Sequence, residues 1–246
     1  MNGWLSDVLL SLVNFLTSTM TAITGLGGGM ILIGVMPLFL PAFAVVPVHG
    51  ATQLASNASR AWFGRQHLQF DDVLPYVVGA LLGAGVFGAA VYFVRLDIIP
   101  LLIGVYILLT QWSKAFNRLL KSVENFYVVG FIQVGISLFV GSPGPLHMPL
   151  LLKKYPDTHV AVTTASLVMT IMHGLKIAVY VLTGFAFLDY WQVIMMMIVS
   201  AVIGSWVGVK LRHRFSMHWL KRALPWLLSV IALKLIITTA LNLVKL

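Results

Sequence analysis

Long uncharged stretches, separated by short clusters of basic residues, set the pattern of this chain. The longest uncharged stretch, free of Asp, Glu, Lys and Arg, runs from Val8 to Ser59, and others are Val73–Val94, Ile98–Ser113, Asn125–Leu152 and Tyr190–Val209. A helix needs roughly 20 apolar residues to cross a bilayer. As one helix the first stretch would be about 78 Å long, more than two crossings, so it must fold back on itself. Spans are therefore expected over Asp72–Val94, Ile98–Trp112, Phe126–Val140, from beyond Lys154 to Thr183, over Tyr190–Val209 and over Ala223–Leu241.

Two interruptions fall inside apolar sequence. The first, Gly25-Leu-Gly-Gly-Gly29, holds four glycines in five residues; the second reads Gly141-Ser-Pro-Gly-Pro145. Each is followed by a short apolar piece with proline, then by a helix with one polar face, expected over His49–Arg65 and His159–Thr183, then by two apolar spans. Residues 1–113 thus read as a first membrane repeat, 114–124 as a cytoplasmic linker and 125–246 as a second repeat. An odd number of segments per half, about five, inverts the second copy. The fold class expected is all-α: a polytopic transmembrane bundle with two inverted repeats and broken helices. Ala84xxxGly88 and Gly204xxxGly208, on matching spans, offer close helix approach.

Composition agrees. Of 246 residues, 59% are hydrophobic and 9% charged, and mean hydropathy is +0.96. Soluble domains carry about 25% charged residues, so lipid replaces water as the main solvent. The net charge of +9 follows from basic loops and does not point to nucleic acid. Those loops (Arg60/Arg65; Lys114/Arg118/Lys121; Lys153/Lys154; Lys210/Arg212/Arg214/Lys221/Arg222) are assigned to the cytoplasm, which puts both termini outside. With no basic n-region, the start does not read as a cleavable signal peptide. The chain has no cysteine, which removes disulfides and thiol chemistry. No HExxH, serine triad or carboxylate pair appears, so neither an enzyme nor a cofactor or metal site is expected.

A lipid-facing break would leave amides without partners, so both breaks should face protein or a wet cavity. A helix that restarts there presents free N–H groups to an anion. Candidate contacts are Gly27, Gly28 and Gly29 in one break, and Ser142 (also able to cap the restarted helix), Gly144 and His147 at the other. Thr52, Gln53, Ser56, Asn57 and Arg60 fall within roughly 160° of one helix; Thr163, Ser166, Thr170, His173 and Lys176 share a comparable face. Hydroxyls and amides also serve as interhelical glue. Arg60, Lys176 and Lys234 lie in apolar segments while every acid lies near a predicted end, so the counter-charge is expected from a substrate. Snorkelling is an alternative for Arg60 and Lys234; Lys176 with His173 is the preferred pair. His49, His147 and His173 are packing residues or, if protons drive transport, proton carriers.

The stretch Gly25-Leu-Gly-Gly-Gly-Met-Ile-Leu-Ile-Gly-Val-Met-Pro37, followed by His49-Gly-Ala-Thr-Gln-Leu-Ala-Ser56-Asn57, resembles the TauE/SafE sulfite exporter family. The second copy reads Gly141-Ser-Pro-Gly-Pro-Leu-His-Met-Pro149 and Thr164-Ala-Ser-Leu167, with Pro143 and Pro145 where the family has glycine. Gln53 stands where serine is frequent. The resemblance implies a multi-pass protein of the bacterial inner (plasma) membrane that carries a sulfur-containing or organic anion such as sulfite or a sulfonate. Secondary transport by alternating access is the function expected; an anion channel and a membrane assembly protein are the alternatives. The expected partners are a small anionic substrate and the lipid bilayer, with a homodimer allowed.

Overall fold

The computed structural model describes residues 3–25, 27–143, 146–212 and 218–244. Expectations for Leu26, Gly144, Pro145 and Arg214, and for the side chains of Lys121 and Lys221, lie outside the described residues. The chain order is α1 (Gly3–Thr24), α2 (Gly28–Val35), α3 (Ala42–Phe63), α4 (Val73–Val91), α5 (Ile99–Trp112), α6 (Lys114–Lys121), α7 (Phe126–Val140), α8 (Met148–Lys154), α9 (Thr158–Leu182), α10 (Trp191–Leu211) and α11 (His218–Val244), with no strand among the described residues. The expected all-α membrane bundle is therefore found.

Gly3–Thr24, Val73–Val91, Thr158–Leu182, Phe187–Leu211 and Arg222–Val244 are long and apolar enough to cross a membrane. α3 has 22 residues but is not among them, because its polar residues make it less apolar; Thr52, Gln53, Ser56, Asn57 and Arg60 are all buried. It starts seven residues before the expected His49, with Pro47 in its second turn. α5 and α7 are shorter than full spans, at 14 and 15 residues. Fifteen residues reach about 22 Å, less than a hydrocarbon layer of ~30 Å. The second break thus begins inside the apolar layer, where α7 stops. Side-chain caps set three starts: Asn125 accepts from Tyr127 N (2.8 Å), Asp157 from His159 N (2.7 Å) and Ser113 from Phe116 N (3.2 Å).

Charge is sorted to one end. Lys154 pairs with Asp72 at 2.9 Å and Lys153 with Glu124 at 3.0 Å, and Arg212 reaches Ala22 O at 2.7 Å. The opposite end carries Arg95 on Asp97, whose carboxyl is held below its ordinary range by that bond, and the stacked rings of Phe185 and Tyr190. Around the waist Leu12, Leu16, Leu81, Leu82 and Val86 are exposed, a surface suited to lipid. This is the architecture of a multi-pass membrane protein.

Small residues decide which helices touch. A Cβ on Gly204 would meet Phe15 O, and one on Gly208 Thr19 O, so α1 and α10 run parallel with their backbones in contact. Likewise Gly79 faces Tyr127 and Gly83 faces Phe131, so α4 and α7 run parallel. On α4 the approach expected at Ala84xxxGly88 is made instead one turn earlier by Gly79 and Gly83; Gly88 packs on the Val179 side chain. Gly130 of α7 lies likewise against Tyr76 O, so glycines on both helices bring the two backbones together. At the centre α3 and α9 cross antiparallel, with Gly50 on Lys176 and Gly64 on Thr163.

Not every glycine is a contact. Gly85 is exposed on α4 with nothing within 4 Å of a Cβ. Gly85→Ala should therefore stabilise by about 0.5–1 kcal/mol, the helix-interior cost of glycine. Thermal unfolding in detergent checks this, and an unchanged or lower midpoint contradicts it.

Candidate functional site

The first break forms because glycine tolerates left-handed backbone. Gly25 and Gly27 have φ of 78° and 88°, conformations that cost other L-residues. α1 stops at Thr24 and α2 restarts at Gly28, folded back on α1 so tightly that Gly28 lies against Thr17 O and Thr21 Oγ1. Gly28 N donates to Thr21 Oγ1 (3.0 Å) and Ile31 N to Gly27 O (3.1 Å). Gly29 and Met30 of the same first turn lie beside a cavity, and Gly29 packs against Ser142 and Gln53.

At the second break Gly141 has φ of 72° and ends α7, its N–H still on Ser137 O at 3.0 Å. The carbonyls that follow are held by side chains: Lys176 Nζ donates to Gly141 O, and Tyr106 OH to Pro143 O. α8 begins with His147 in the capping position and no side-chain cap. The expected capping role of Ser142 is therefore not seen. Five residues separate Ser142 from α8, too far for its hydroxyl to cap, and it packs against Gly29 instead.

Between the breaks lies a cavity of about 50 Å³. From the first half Gly27, Gly29, Gln53, Asn57 and Arg60 line it; from the second, Ser142, His147 and Ser166. Arg60 is 1% exposed. Its Nε donates to Ser166 Oγ (3.1 Å) and its Nη2 to Asn57 Oδ1 (2.9 Å), while Nη1 is buried with no partner. Its other Nη2 contact, Ser56 Oγ, is at 3.5 Å. No carboxylate pairs with it: among the described residues the ion pairs are those of Arg95, Lys153 and Lys154, all with exposed or half-buried partners at the two ends. Arg60 is thus buried and does not snorkel. His147 Nδ1 lies 2.9 Å from Gln133 Oε1 and its Nε2 has no partner.

The remaining expected residues sit elsewhere. Thr52 and Thr170 donate to carbonyls of their own helices, His49 O (3.1 Å) and Ser166 O (2.7 Å). Ser56 bridges α1 and α10 through Ser18 (3.0 Å) and Ser205. Thr163 supports Gly64, and Gly28 is spent on α1. His173 and Lys176 are buried but do not line the cavity; they form a second cluster with His49. Thr21, Met30, Val162, Ala165, Met148 and Met169 line it, and sequence reasoning missed them. Five of the six are methionines or aliphatic residues and carried no signal above core packing. Gln133, which positions His147, did carry one: an amide alone in an apolar span.

A model of the family described as Sulfite exporter TauE/SafE matches residues 10–235. No curated protein and no solved structure matches the chain.

Proposed function

We propose that this chain, which belongs to the sulfite exporter TauE/SafE family, is a secondary carrier of a small sulfur oxyanion or sulfonate, held between the two breaks. The family is one of membrane transporters, not of enzymes. The observation that carries the reading is Arg60, buried with uncharged partners and one unpaired nitrogen on the wall of the cavity. A buried cation without a counter-charge costs several kcal/mol. An anion with two or three oxygens offsets that cost by accepting from Nη1, from the Gly29 amide and from the Ser142 hydroxyl. The small volume favours an anion of a few heavy atoms, and the side chains of Met30, Met148 and Met169 leave an apolar flank for sulfur or a short alkyl group.

Alternating access is supported by the way the halves interlock. The first helix of each half packs along the fourth of the other, α1 on α10 and α4 on α7, as two inverted repeats would. The antiparallel α3–α9 contact, where Arg60 of one half binds Ser166 of the other, is then the seam across which one half rocks. In a bacterial inner membrane the basic end faces the cytoplasm.

Protein reconstituted in liposomes preloaded with unlabelled sulfite should show saturable counterflow of labelled sulfite, with short sulfonates competing. A current that grows linearly with voltage and shows no counterflow would make the protein a channel and remove the carrier reading.

A further inference from the structure

His49, His173 and Lys176 form a buried cluster that spans the two breaks and that anion binding leaves unused. His49 Nε2 lies 3.1 Å from Gly29 O. A carbonyl only accepts, so His49 carries its hydrogen on Nε2 and its Nδ1 is a bare acceptor, buried with no partner. Lys176 is 0% exposed; its Nζ donates to Gly141 O and lies 3.3 Å from His173 Nδ1. An ammonium has no lone pair, so His173 Nδ1 accepts and its hydrogen sits on Nε2, also buried with no partner. The rings are 5.8 Å apart between centroids. One imidazole thus has a spare donor and its neighbour a spare acceptor. Around them α2 and α7 present backbone carbonyls; the charged or titratable side chains nearby are Arg60 on α3, Tyr180 on α9, bound to Leu138 O, and Tyr106 on α5, bound to Pro143 O.

Building on the carrier reading, we propose that these three residues bind and relay one proton that is co-transported with the anion. Lys176 Nζ passes a proton to His173 Nδ1 as the Nε2 hydrogen of His173 moves to His49 Nδ1, a step that needs the two rings, 5.8 Å apart between centroids and not hydrogen-bonded here, to close to bonding distance. Lys176 becomes a neutral amine, His173 stays neutral with its tautomer exchanged, and His49 becomes an imidazolium still bonded to Gly29 O. Water on one side of the membrane then reprotonates Lys176; when the anion leaves on the other side His49 gives its Nδ1 proton to water there, and proton exchange with water restores the Nε2 hydrogen of His173. Gly29 lines the anion cavity, so the new positive charge arrives next to the anion. Their attraction makes each favour the other, which sets the direction: proton and anion travel together.

The test uses methanesulfonate, which carries no titratable proton near neutral pH. Full-length protein in liposomes, clamped at zero membrane potential with a pH difference of one unit, should accumulate it about tenfold on the alkaline side, the ratio for one proton per anion. H173Q and K176Q should keep counterflow and lose the accumulation. Counterflow without accumulation in the wild type, accumulation on the acid side, or accumulation that survives H173Q each overturns the relay and leaves the carrier standing. Absence of counterflow for sulfite and methanesulfonate alike defeats the carrier reading itself. Nitrogen-15 spectra of histidine-labelled protein read the relay without any anion: hydrogens on Nε2 of both His49 and His173 are expected, and Nδ1–H on His49 overturns it.

Discussion

Replacing Arg60 with methionine is expected to abolish saturable anion counterflow while leaving the bundle folded. A hydrogen bond to a charged group is worth about 1.5–3 kcal/mol, or roughly 10–150-fold in affinity. The guanidinium brings the charge as well as the bond, so the loss should lie at the upper end or beyond. Stability should move little. Replacing a buried ion pair by apolar side chains of similar volume is often neutral or favourable by about 1–4 kcal/mol, and among the described residues Arg60 has no charged partner for methionine to leave stranded. Against that, Asn57 Oδ1 loses its donor, while Ser166 keeps its bond to Val162 O (2.8 Å) and Ser56 its contact with Ser18 (3.0 Å). A missing acceptor partner costs about 1–3 kcal/mol, so the two effects nearly cancel. Arg60→Lys should be intermediate, because an ammonium cannot reproduce the fork that reaches Ser166 and Asn57 together. The measurement is the thermal shift induced by sulfite, together with counterflow. A methionine variant that binds sulfite as tightly as the wild type would remove Arg60 from the site.

Gly28→Val should prevent accumulation of folded protein. Helix propensity alone predicts a gain of less than about 1 kcal/mol, since Gly28 opens a helix and glycine is a poor helix former. Packing reverses the sign. A Cβ at this position would land on Thr21 Oγ1 and on Thr17 O. Thr21 could rotate away, at the expense of its bond to Gly28 N, but Thr17 O is backbone and cannot. Ordinary overpacking costs about 1–3 kcal/mol; a clash with fixed backbone, at the turn that sets how α2 returns along α1, should exceed that. The readout is the monodisperse fraction after detergent extraction. Normal yield and melting would mean that α2 does not lie against α1.

Lys176 illustrates how a correct observation led to a different role. It stands in an apolar segment without a nearby acid, as Arg60 does, and that made it the preferred anion contact. The structure instead gives its ammonium to Gly141 O at the end of α7 and to His173. A helix C-terminus presents unpaired carbonyls and partial negative charge, which satisfies a buried cation without any ligand. Arg60 has no such helix end within reach of Nη1.

The amino-acid sequence by itself determined the solvent of this protein and the places where its helices stop. Few charges and long apolar runs demand lipid, four glycines around Gly27 and the prolines after Gly141 interrupt helices wherever they are put, and basic loops sort to one end. These are local or additive properties, so they survive without coordinates. Tertiary structure alone decided which polar groups are free. Thr52, Thr170, Asn57 and Ser166 share helical faces that look alike in sequence and all four donate to their own backbone, yet the last two also accept from Arg60. A hydroxyl in a membrane helix can bond a carbonyl three or four residues back or reach a neighbour with similar energy. The choice therefore rests on which helix lies alongside, and that was settled by glycines such as Gly79 and Gly204, whose backbone contacts bring distant segments together.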